Sequence, residues 1–154
     1  MRLLGFGDAG EESLPQKLLV AVPGRANDRR TLELACEVAM AVGAEIEAVH
    51  VLELPRSVST DDPNPPGMAQ AEAAIANAKT IMTDAGIEGA AQVIRSHQVA
   101  KALLQRAEDT KVDVIVMEAG RRKGIGVALM GDNLDIVLRN AQCGVWAVRF
   151  PEEG

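Results

Sequence analysis

The stretch that decides the fold is Val112–Phe150, VDVIVMEAGRRKGIGVALMGDNLDIVLRNAQCGVWAVRF. Its first six residues, Val112–Met117, are almost continuously apolar, the pattern of a strand buried on both faces. A glycine-rich basic loop follows, Gly120-Arg121-Arg122-Lys123-Gly124-Ile125-Gly126. Asp132 or Asn133 then opens a helix with Leu134, Val137, Leu138 and Ala141 on one side, and Val145–Phe150 returns as a strand. Strand, loop, helix and strand in this order make a right-handed crossover between parallel strands.

The same rhythm runs upstream. Gln16–Val22 is a short apolar strand ending at Pro23-Gly24, and Asn27 or Asp28 can cap a helix that buries Leu32, Ala35, Cys36 and Ala39 and stops near Gly43. Glu45–Leu54 is a second strand. Pro55–Gly67, rich in proline, reads as loop. Met68, Ala71, Ile75, Ala78 and Met82 mark a second helix, Gln92–Ser96 a third strand, and Val99, Ala102, Leu103 and Ala107 a third helix. The expectation is α/β, a single-domain open five-stranded parallel sheet with helices on both faces, Rossmann-like in design. Residues 1–15 are expected to be an N-terminal tail or arm and 16–154 the domain.

Composition narrows the function. The chain of 154 residues is 47% hydrophobic but only 2% aromatic, so its core rests on aliphatic side chains packed between helices and sheet. A net charge of −6 opposes general nucleic-acid binding, which needs surplus Lys and Arg. Two cysteines, Cys36 and Cys143, offer no disulfide framework, and no CxxC or His-rich cluster suggests a metal. The first residues are not expected to form a secretory signal, and no apolar run reaches the ~20 residues of a membrane span. A cytoplasmic domain without direct membrane insertion is expected.

Two glycine-bearing segments invite a phosphate reading. Gly5-Phe6-Gly7-Asp8-Ala9-Gly10 matches G-x-G-x-x-G by letter, but no strand precedes it, so it reads as tail. The Gly120–Gly126 loop is different, because glycines let backbone N–H groups converge on an anion and three cations stand among them. It is equally compatible with a solvated connection. His97 follows the third strand on the ligand-facing edge, and His50 lies within an apolar strand as a satisfied core residue. No nucleophile stands beside either, so no catalytic residue is assigned.

At this point the chain resembles the universal stress protein family, from Gln16 to Phe150. The carriers are KLLVAVPGRANDRRTLELACEVA, AEIEAVHVLEL, DVIVM and GDNLDIVLRNAQCGVWAVRF. The resemblance implies the adenine-nucleotide alpha-hydrolase-like form of the fold and a homodimer joined through the last strand, whose candidate residues are Val145, Trp146, Ala147, Val148 and Arg149. ATP-binding members look like Gly-x-x-Gly, a nine-residue spacer, then Gly-Ser or Gly-Thr, with an Asp closing the first strand. With Gly131 as anchor, the earlier glycines fall on Glu118 and Arg121, the Ser/Thr on Asp132 and the first-strand Asp on Pro23, with Gly24 matching.

These departures have physical signs. Glu118 and Asp132 bring carboxylates toward a phosphate position, and Pro23 has neither a carboxylate nor an N–H. Asp132 is better suited to cap the last helix. Arg121 points the other way, as a fork suited to phosphate. The candidate nucleotide or anion site is therefore Pro23, Gly24, Gly120, Arg121, Arg122, Lys123, Gly124, Gly131 and Asp132. The expected function is a regulatory or interaction domain with a degenerate nucleotide site and no cofactor, ATP or AMP being the candidate ligands. The alternatives are a sensor binding a nucleotide or other anion through the basic loop, and a cytoplasmic regulatory domain of a transporter or kinase with a protein partner.

Overall fold

Alternation of apolar side chains builds the sheet. In the computed structural model, which describes residues 14–120 and 132–151, β1 (Lys17–Ala21) sends Leu18 and Val20 to one face and Leu19 to the other, all fully buried. The strand is sandwiched, so both faces are hydrophobic. Its neighbours are β2 (Glu45–Glu53), in register with Leu18 opposite Ile46, and β4 (Val114–Glu118), with Leu19 opposite Ile115. β3 (Ala90–Ser96) adds to β2, and β5 (Gly144–Val148) adds to β4. The order is β3-β2-β1-β4-β5 and every pairing is parallel.

Four helices cover the two faces. α1 (Asp28–Val42) and α2 (Met68–Asp84) press Leu32, Cys36, Ile75 and Met82 onto Leu18, Val20 and Val116. α3 (Val99–Thr110) and α4 (Asn133–Asn140) press Leu103, Ala107 and Val137 onto Leu19, Val49 and Ile115. This is the three-layer architecture expected from the sequence. A smaller cluster, Leu52, Leu54 and Ala71 with Val58 and Met68, anchors the proline-rich connection between β2 and α2. Tail residues Gly5–Gly10 lie outside the described residues.

Strand limits move by one or two residues from the sequence reading. β4 starts at Val114 because Asp113 turns its carboxylate back to accept the N–H groups of Gln16 (2.7 Å) and Lys17 (2.8 Å), tying the entry of β1 to that of β4. β5 ends at Val148, so Arg149 lies beyond it, and Phe150 instead packs under the Arg30 guanidinium at 4.3 Å. Trp146 and Val148 pack onto the α1/α2 side of the core, while Val145 joins the other side. β5 is an edge strand of the sheet.

Candidate nucleotide and anion site

The chain runs from β1 outward to β3, then crosses back to β4 on the other side of β1. Strand order reverses there, and in an open parallel sheet the crevice at the carboxyl ends of such strands is where ligands bind. A cleft of about 320 Å³ occupies that place, lined among others by Pro23, Arg25, Glu53, Glu118, Gly120 and Asp132. Of the sequence candidates, Pro23, Gly120 and Asp132 thus meet. Gly24 stands beside them in the turn, while Arg121, Arg122, Lys123, Gly124 and Gly131 lie outside the described residues.

The turn after β1 is closed upon itself. Gly24 has φ +87°, a left-handed conformation that reverses the chain without strain only at glycine. The reversal brings the Gly24 and Arg25 N–H groups onto the Asp28 carboxylate, at 2.7 and 3.1 Å. Asn27 occupies the N-cap position of α1 but makes no side-chain cap bond, and the Asp28 carboxylate in the first turn faces back to the preceding loop. Burial pushes the Asp28 carboxyl above its ordinary value, a rise that its two N–H donors and His50 oppose and Glu118 reinforces.

Two further backbone groups are used internally. The His50 ring donates from Nδ1 to the Val22 carbonyl at 2.8 Å, which satisfies that half-buried histidine as expected. His97 is exposed and donates from Nδ1 to the Leu54 carbonyl at 3.1 Å, away from the cleft. At the opposite wall Asp132 caps α4, accepting the Asp135 N–H at 2.8 Å. Its neighbour Asn133 reaches across to the Ala100 N–H at 3.2 Å and joins the starts of α3 and α4.

Charge in the cleft is lopsided. Among the described residues three carboxylates, Glu53, Glu118 and Asp132, face one guanidinium, Arg25. Arg25 was not singled out by the sequence reading. It stands close to Gly120, where a Cβ would lie 3.6 Å from its Nη1, at ordinary contact distance. An arginine in an exposed turn has no periodic signature, and only the fold brings it opposite Gly120. Both cysteines have thiols raised chiefly by burial, which leaves them poor nucleophiles. Among the described residues no group of three or more His, Cys, Asp or Glu could hold a metal, and no helix is long and apolar enough to cross a membrane.

The sequence model of the universal stress protein family matches residues 15–149. The chain belongs to the universal stress protein family. Solved universal stress proteins share its fold. One, in complex with cAMP, superposes with TM-score 0.73 at 21% identity, covering 89% of this chain and 98% of that one. The Archaeoglobus fulgidus protein in complex with dAMP gives 0.66 at 19%, covering 86% and 96%. A family protein from Arabidopsis thaliana with AMP bound gives 0.59 at 19%, covering 88% and 92%. No curated protein matches the chain.

Proposed function

We propose that this universal stress protein is a cytoplasmic, homodimeric regulatory domain that acts by association rather than by chemistry, and that its cleft does not hold ATP in the family's usual pose. The observation that carries this reading is the self-satisfied end of β1. Pro23 has no N–H, the N–H groups of Gly24 and Arg25 are spent on Asp28, and the Val22 carbonyl is spent on His50. A triphosphate entering there meets carboxylates at Glu53, Glu118 and Asp132, and like charges in a partly dry cleft repel strongly.

The experiment is thermal denaturation of the full chain with ATP, AMP, cAMP and phosphate. A ligand that binds only the native state at a hundredfold excess over its Kd adds about 2.7 kcal/mol, a shift easily read. ATP is expected to leave the midpoint unchanged for the natural sequence and to raise it for the double variant Pro23→Asp/Asp132→Ser, which restores the family's carboxylate and hydroxyl. Stabilisation of the natural sequence by ATP as strong as that of the variant would sink the proposal.

Arg25 supports a second reading, a sensor for a singly phosphorylated nucleotide. Arg25 is the single guanidinium among the described residues of the cleft, which suits one phosphate better than three, and three of the structural neighbours were solved with cAMP, dAMP and AMP. Stabilisation by AMP that disappears in Arg25→Ala would favour it over the first.

A further inference from the structure

A second concavity lies away from the cleft, at the β3 edge of the sheet. It is a groove of about 610 Å³, walled by the 55–67 loop, by the end of β3 and by one side of α3. Its volume falls within the range of small-molecule sites. Its walls carry Arg56, Arg95, Lys101 and Arg106 together with His97, and a single carboxylate, Asp109. In a chain of net charge −6 this is a local inversion of sign.

Each cation has a different balance. Arg106 is neutralised by Glu47, which accepts from its Nε at 2.8 Å and its Nη2 at 2.6 Å. Arg95 is not: its Nη1 donates to the main-chain carbonyls of Asp62 (2.7 Å) and Thr60 (3.3 Å), so its position is fixed while its charge stays unopposed. Arg56 and Lys101 are exposed and make no hydrogen bond or ion pair among the described residues. Asp109 lies eight residues beyond Lys101 on α3, about 12 Å along the axis, and it accepts from Gln105 at 2.9 Å. The loop end of the groove is therefore cationic, with one guanidinium preset by the backbone.

We propose that this groove is a second anion site, separate from the β1/β4 cleft, which takes a phosphate-bearing small molecule. Guanidinium forks and a lysine converging in a walled concavity suit a compact oxyanion with several acceptor oxygens. An extended acidic chain would spread its charge toward Asp109 instead. The assignment does not depend on what the cleft binds, because the two concavities share no lining residue.

The test is calorimetric titration of the full chain with pyrophosphate at low ionic strength, with a glutamate-rich peptide as the competing arm. Pyrophosphate is expected to bind, and Arg56→Glu/Lys101→Glu to weaken it by about tenfold or more, the loss of charge-assisted contacts. Both side chains are exposed and unpaired, so the variant keeps its fold, which circular dichroism checks. Arg29→Glu on α1, which lines neither concavity, is expected to leave the affinity unchanged. Absence of binding, no weakening by Arg56→Glu/Lys101→Glu, equal weakening by Arg29→Glu, or preference for the peptide would each overturn the assignment.

Discussion

Asp28 and Glu47 are two partly buried carboxylates whose surroundings push them in opposite directions. Burial dominates at Asp28, so the folded protein holds its proton more tightly than the unfolded chain, and its contribution to stability declines as pH rises from 3.8 through the raised folded value. At Glu47 the Arg106 hydrogen bonds dominate over burial, and Gln92 adds a third donor at 3.0 Å, so its carboxyl lies below the ordinary 4.5. That stability is fully present above 4.5 and is lost as pH falls through the depressed folded value. Glu47→Gln is expected to cost about 1–3 kcal/mol at neutral pH. Urea denaturation across the acid range should show the variant's deficit shrinking as pH falls. A deficit independent of pH would contradict the pairing.

α4 shows what one residue does for a whole element. With only eight residues it is too short to persist on propensity, and it depends on its cap and on Val137 in the core. Asp132→Ala is expected to lower stability by about 1 kcal/mol in urea unfolding, whereas Asp132→Ser keeps most of the cap. The cap was legible in the sequence, since Asp132 stands two positions before the apolar-periodic run that begins at Leu134. The role of Asp28 was only half legible. Its place near a helix start is visible, but the carboxylate's bonds to Gly24 and Arg25 require the left-handed turn at Gly24, which no local pattern encodes. The 55–67 segment read as loop and is loop; its attachment through Arg95 carbonyl bonds joins residues more than thirty positions apart and has no sequence signal.

For the molecule as a whole, β5 is the exposed flank of the sheet and the proposed route to a dimer. Gly144 donates to Asp113 and Val148 accepts from Ala119, so alternation along the strand turns the main chain of Val145 and Ala147 outward. Trp146 is partly buried, with one part packed against the α1/α2 side of the core. If two copies pair along β5, Ala147→Pro should convert a dimer to a monomer in light scattering after gel filtration, because proline removes an outward N–H that an edge strand can lose without unfolding. A dimer unaffected by the substitution would place the interface elsewhere.

Periodicity and punctuation in the sequence determined the five parallel strands, the four helices and the likeness to universal stress proteins, because these depend on side chains close together along the chain. Pro23, Glu118 and Asp132 are the residues from which the sequence raises the proposal that the cleft does not hold ATP in the family's usual pose. Tertiary structure alone decided that Asp28 and His50 close the turn after β1, that Arg25 faces Gly120, and that Arg56, Arg95 and Lys101 gather in one groove. Those arrangements join residues from separate strands, helices and loops, and the order of strands in the sheet, not spacing along the chain, brings them together.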